Sequence, residues 1–205
     1  MKITVLFPTK TEASLFQRDD VDVIISGVGL TATAVATLKA IQQNTPDVLI
    51  LAGIAGAFPD SALTIGEVVL VKSEVEGDLG FFTPDGFVHL AHLPLEMDFD
   101  RRHTLTCPHL PSTTPFKLAR SVSLNAAMAP FIDTTNVDIE NMEGAAFFHV
   151  CLQEKQRFLE LRAISNMVKI GDDNWDMPES IRALTDGLHC LIDLLLEHEL
   201  TSQIK

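Results

Sequence analysis

Three stretches of the sequence place chemically able side chains where an α/β protein usually exposes them. Glu12 stands in "PTKTEASLF", directly after the apolar run "KITVLF" (2–7). Glu143 stands in "NMEGAAFF", at the start of a helical pattern. Ser165 and Asn166 follow "FLELRAI", at the open end of an extended run. Strand ends of this kind are where such folds bind ligands. Carboxylates there could carry acid–base chemistry, whereas the Asn166 amide cannot give up or accept a proton at ordinary pH.

Each position also has an ordinary explanation. Glu12 suits the first turn of a helix, where the dipole favours a carboxylate, and Asn166 suits a turn after a strand. Glu143 follows Glu140, Asn141 and Met142 and precedes Gly144, Ala145 and Ala146. Those small residues allow the helix to pack closely on a sheet. Glu143 is then pushed above the strand ends, a costly place for a charge unless it binds something. Met142 offers a soft apolar floor for a ring.

The composition narrows the class. The chain has 205 residues, 46% apolar and 21% charged, with a formal net charge of −13. Such a surface repels polyphosphate, so nucleic acid is not an expected partner; the only adjacent basic pair is Arg101-Arg102. Cys107, Cys151 and Cys190 have no CxxC spacing, which fits a reducing compartment and neither a disulfide framework nor structural zinc. The histidines show no metal-binding spacing, and no metal or cofactor is expected. "MKITVLFPTK" is too short an apolar run for a signal peptide. "LHCLIDLLLEHEL" carries Asp193, Glu197 and His198 and cannot span a bilayer. A cytoplasmic protein without membrane contact is expected.

The elements that must position these residues alternate. Strands are predicted at 2–7, 21–27, 47–56, 65–75, 116–124, 136–141 and 158–165, and helices at 30–44, 142–155 and 178–200. The segment 77–115 has no regular pattern. Long apolar strands without strict alternation imply a sheet covered on both faces. The expected fold is one three-layer αβα domain with a central mixed sheet, spanning 1–205. "SGVGLTA" (26–32) matches a weak variant of the dinucleotide fingerprint. However, it follows the second strand, and no acid ends the next strand to hold a ribose. It reads better as a tight strand-to-helix turn, with "GIAGAF" (53–58) as a second glycine turn, the two together suggesting a ligand close to backbone.

In this order, Glu12, "SGVGLTAT", "LAGIAGAF", "IGEVVLVKSE", "NMEGAAFFHVC" and "LRAISN" resemble the nucleoside phosphorylase/nucleosidase superfamily, over about residues 2–200. Within it, "EGDLGFF", "SVSLN" and "ISN" followed by Trp175 are similar to the branch that hydrolyses futalosine to hypoxanthine in an alternative menaquinone pathway. The resemblance implies that Glu143 holds the ribose 2′- and 3′-hydroxyls, that Met142 packs under the sugar and that Glu12 deprotonates the attacking water. Asn141 and Ser165 would contact substrate, and Ser73 and Phe82 would line the mouth of the site. Relatives that cleave adenine nucleosides carry aspartate after "RAIS"; an amide NH2 at Asn166 would instead serve the O6 and N7 acceptors of a 6-oxopurine. Arg162 would steady nearby carboxylates without a catalytic role, and Trp175 would either lid the site or anchor the last helix. The implied partners are a small nucleoside and water, in a homodimer or larger assembly. Another purine nucleosidase, a nucleoside phosphorylase acting on inosine-like 6-oxopurine nucleosides and a non-catalytic nucleoside-binding homologue are the alternatives.

Overall fold

The two longest apolar runs become the central strands. In the computed structural model, which describes residues 1–96, 103–171 and 174–202, β3 (Val48–Ala57) and β10 (Phe158–Met167) pair in parallel along their length. β3 carries no polar side chain, and β10 is buried at every position up to Asn166, including Glu160 and Arg162. Strands covered on both faces have that pattern. β1 (Ile3–Phe7) lies parallel to β3 on its other side, and β2 (Val21–Ile25) pairs with β1 at the edge.

Beyond β10 runs β4 (Val68–Glu76), antiparallel to it, and then β8 (Lys117–Ser123), parallel to β4. β9 (Ile139–Asn141) is parallel to β8 and also pairs antiparallel with Gly56 and Ala57 at the end of β3. Strands β3, β10, β4, β8 and β9 thereby close a ring. That closure gathers the ends of β3, β9 and β10, which carry most of the candidate residues. Helix α1 (Leu30–Asn44) packs on β1, β2 and α2 (Gly144–Gln153), and α2 also packs on β4 and β8. The last helix, α3 (Met177–Ser202), packs against β10, β3 and β4. The mixed sheet between helices is the expected arrangement.

Local chemistry sets the helix ends. Gly27 (φ 85) and Gly29 (φ 95) make the turn into α1 in a region that L side chains rarely adopt. The helix stops at Thr45 in a left-handed conformation, followed by Pro46, which cannot continue it. At α2, Asn141 Oδ1 accepts the N–H groups of Glu143 (2.7 Å) and Gly144 (2.7 Å), and Ser123 Oγ accepts that of Ala145 (2.8 Å). Three otherwise unpaired donors are thus satisfied by side chains from the sheet.

Two expectations change. "GIAGAF" is not a turn, because residues 53–57 belong to β3. A Cβ on Gly53 would lie 2.5 Å from Arg162 Nη1 and 3.1 Å from Glu12 Oε1, so what lies close to this backbone is the protein's own charged groups. The described part of 77–115 is more ordered than its composition suggests. It contains the hairpin of β5 (Gly80–Thr83) and β6 (Gly86–His89), and β7 (Leu105–Thr106), which pairs with β4. The Arg101-Arg102 pair lies outside the described residues.

Gly53→Ala should therefore destabilise the protein by about 1–3 kcal/mol, the usual range for overpacking a filled site. Chemical denaturation measures it; unchanged stability would mean that the guanidinium has room to move.

Candidate active site

A cation on a buried strand organises the site. Arg162, in the middle of β10, is completely buried. Its Nε donates to Glu160 Oε1 (2.8 Å) and its Nη2 to Asn141 Oδ1 (3.1 Å). Nη1 donates to Glu143 Oε2 (3.2 Å) and to the Ile54 carbonyl (3.1 Å). Burial of this kind is tolerable only when charge and hydrogen bonds answer the guanidinium on each side.

Glu143 is pinned at the start of α2. Its Oε1 accepts the N–H of Gly29 (3.1 Å), and its Oε2 accepts from Arg162 and from the N–H of Met142 (3.3 Å). The glycine turn before α1 thus delivers a backbone donor to a carboxylate, so the N–H that a dinucleotide cradle would give to a pyrophosphate is engaged by Glu143. Glu12 arrives from the loop after β1. Its Oε1 accepts the N–H of Ile54 (3.0 Å) and its Oε2 the hydroxyl of Thr9 (2.6 Å). Burial raises the Glu12 pKa above the ordinary carboxylate value, against the pull of Thr9, Ile54 and Arg162, and the Glu143 charge raises it further.

Asn166 reaches the same space through a bulge. The register of β10 on β3 slips between Ile164 and Asn166, which leaves Ser165 as the extra residue and re-aims the strand end. Ser165 Oγ lies 2.8 Å from Asn166 Oδ1 and 3.2 Å from the Ala55 carbonyl. Its single proton goes to the nearer oxygen, which fixes the amide. Among the described residues, the Asn166 NH2 keeps only a long 3.5 Å contact with the Met167 carbonyl, which leaves donors to offer a ligand.

Glu12, Asn141, Met142, Glu143, Ser165 and Asn166 line one cavity of about 270 Å³, together with Thr9, Ile54, Glu140, Trp175 and others. Six of the eight proposed site residues are thus brought together. Among the residues lining it there are three carboxylates and no lysine, arginine or histidine. Asn141 is present but occupied. Its oxygen serves Glu143, Gly144, Arg162 and Ser123, and its NH2 serves Glu74 (2.6 Å) and Ser121 (2.7 Å). It therefore shapes the site and has no free donor for a ligand.

Ser73 and Phe82, expected at the mouth of the site, are not among the residues that line this cavity. Successive strand residues point to opposite faces, and Glu74 faces Asn141 and Ser123, so Ser73 faces away. It borders a larger cavity of about 520 Å³ with Phe87, His89 and Phe131. Phe82 sits on β5, two-thirds exposed, with its ring against Phe87 and Phe131. Trp175 does border the smaller cavity; Asp172 and Asp173 of the preceding loop lie outside the described residues.

Sequence reasoning passed over the site role of Glu140. It is nearly buried and accepts the N–H of Met128 through both oxygens (3.0 and 3.3 Å). Burial raises its pKa. A Cβ on Gly56 would lie 3.2 Å from Asn166 Nδ2 and 3.4 Å from Glu140 Cγ, so the two side chains flank one small gap. The signal was there, since Glu140 is the penultimate residue of a strand, two residues before Met142, but only the ring closure of β9 onto β3 puts it beside Asn166.

A ring-closed mixed sheet with helices on it, and a carboxylate-rich cavity at the meeting strand ends, define an enzyme fold. Residues 9–197 match the family described as the phosphorylase superfamily, and the chain belongs to it. It is a glycosylase of that superfamily. The chain is 32% identical over 182 residues to a futalosine hydrolase of Thermus thermophilus, covering 82% of this chain and 79% of that one. It is 31% identical over 168 residues to a 5′-methylthioadenosine/S-adenosylhomocysteine nucleosidase of Shewanella loihica, covering 75% and 71%. Among solved structures, the native futalosine hydrolase of Helicobacter pylori strain 26695 shares the fold, with a TM-score of 0.73, 16% identity and coverage of 94% and 97%.

The raised pKa of Glu12 can be read directly. Its carboxyl ¹³C resonance should titrate with a midpoint above the roughly 4.3 of a solvated glutamate, so the proton is still held where surface carboxylates have lost it. A midpoint at or below that value would contradict the burial argument.

Proposed function

We propose that this chain hydrolyses the N-ribosidic bond of a 6-oxopurine nucleoside, futalosine, and releases hypoxanthine, as a step of menaquinone synthesis in the cytoplasm. The observation that carries hydrolysis over phosphorolysis is the lining of the cavity. Glu12, Glu140 and Glu143 face it, and no described cation does. Arg162, which contacts Glu143 from outside the lining, is already held by Glu143 and Glu160. Such a cavity repels phosphate and accepts water.

In this reading Glu143 accepts hydrogen bonds from the ribose 2′- and 3′-hydroxyls while Met142 packs beneath the ring. As the C1′–N9 bond lengthens, positive charge grows on the sugar, and the carboxylates around it stabilise that state. Glu12 takes a proton from water, whose oxygen bonds to C1′. The bond's electron pair leaves with the base, which gains a proton from solvent. Asn166 donates to O6 and N7 of the departing base. Glu140, at the same gap, is suited to accept from N1–H, which a 6-oxopurine has and adenine lacks. The two relatives are named for different nucleosides, and this pair favours a 6-oxopurine over an adenine one. Exposed Val23, Ile25 and Val35, on β2 and α1, support a homo-oligomer that covers them.

Purified protein should release hypoxanthine from futalosine without added phosphate; strict phosphate dependence would make it a phosphorylase, and faster release of adenine from 5′-methylthioadenosine would overturn the base assignment. Asn166→Asp should lower kcat/KM for the 6-oxopurine by about a hundredfold, since an unpaired buried polar edge discriminates sharply. Equal turnover of both substrates by the mutant and the parent would rule out reading of the base edge by Asn166. Activity should also fall on acidification at a higher pH than an unperturbed glutamate implies, because Glu12 must be ionised and its pKa is raised.

A further inference from the structure

Two buried carboxyls outside the cavity lining remain without a task. Glu74 on β4 and Glu160 on β10 are both fully buried. A Cβ on Gly144 would lie 2.6 Å from Glu160 Oε1 and collide with Glu74 Oε1, so both oxygens crowd the same point under the start of α2. Glu74 is oriented by Ser123 Oγ (2.9 Å) and Asn141 Nδ2 (2.6 Å), and Glu160 by Arg162 Nε (2.8 Å). Two carboxylates this close and fully buried cannot both be ionised. Arg162 beside Glu160 keeps the charge there and puts the proton on Glu74. Burial and the Glu160 charge push Glu74 well above the usual carboxylate range, whereas burial also raises Glu160 but works there against the pull of Arg162, which Glu74 lacks. The other titratable groups around the pair are Glu143 at α2, Glu12 beyond Arg162, and the buried thiols Cys107 and Cys151.

The consequence falls on Glu143. Arg162 touches two carboxylates, Glu160 at 2.8 Å and Glu143 at 3.2 Å. If Glu143 alone answered it, the sugar would face a neutral ion pair. With Glu160 present, Arg162 is neutralised from beneath and one net negative charge remains on the cavity side. We propose that Glu160 is a positioning residue for the reaction, which takes up the charge of Arg162 so that Glu143 keeps its own for the cationic ribosyl group, with Glu74 as the neutral member of the pair. This rests on the glycosidase reading above. Glu74 and Glu160 themselves touch no part of the cavity.

The test compares Glu160→Gln, Glu160→Asp and Glu74→Gln with the parent. Glu160→Gln should lower kcat by about tenfold or more with KM changed by less than about threefold, the pattern of an interaction made in the transition state. By calorimetry it should weaken a ribose mimic with a protonated ring nitrogen about tenfold more than the neutral nucleoside analogue, since only the former carries the charge. Glu74→Gln, which keeps the neutral form, should retain kcat within about threefold, and should remove the protonated-carboxyl C=O band from the infrared spectrum. Glu160→Asp keeps the charge and should retain at least about a third of kcat. Equal weakening of both ligands by Glu160→Gln, or an Asp variant as damaged as the Gln one, would overturn the proposal. Should Glu160→Gln not fold, a loss of more than about tenfold in Glu160→Asp alone would do so. A parent protein without nucleoside turnover would refute the proposed function instead, and the calorimetric and infrared results would still decide for or against the charge arrangement.

Discussion

A guanidinium sealed in a protein interior must meet opposite charge and acceptors at once, or the fold that buries it does not form. Arg162 imposes that demand here, and much of the site follows from it. Its acceptors come from β10, β3, the end of β9 and the start of α2. Those elements can reach it together only because β9 pairs with both β8 and β3. Gly53 leaves the space through which the guanidinium passes. Asn141 links the same hub to the first turn of α2, so Glu143 is held at the helix start and by Arg162 simultaneously.

The electrostatic result is a cavity whose wall is acidic while the cation that stabilises it stays behind the wall. Burial raises the pKa of Glu12 and Glu140. Glu143 receives three donors, from Gly29, Met142 and Arg162. Carboxyls with different environments can take different tasks in one reaction. On this view the site differs from a phosphate-binding one by where its arginine is kept, inside the fold and already engaged.

Much of this was legible in the chain. Helix α1 begins and ends where the pattern of small residues predicts, because its turn glycines and its terminal Thr45-Pro46 are local signals. Glu12, Glu143 and Asn166 stand out because each follows a recognisable element end. The remainder depends on contacts distant in sequence. Nothing in "VLVKSEVE" says which of Ser73 and Glu74 faces inward, since the register shift between Val71 and Ser73 decides it. Phe82 looks like an apolar cap for a ligand until the hairpin sets it against Phe87 and Phe131. Asn141 looks like a ligand contact until its amide is found fully engaged by the protein. Glu160 reads as a strand residue, and only its approach to Arg162 and Glu74 gives it a charge to manage.

The central claim is that the acidic cavity at the ends of β3, β9 and β10 binds the whole nucleoside. A crystal structure with an uncleavable 6-oxopurine nucleoside analogue addresses it most directly. The account predicts the ribose hydroxyls on Glu143, water between Glu12 and C1′, and the base oxygen on the Asn166 NH2. A nucleoside seated in the larger cavity beside Ser73, or one whose base points away from Asn166, would contradict it.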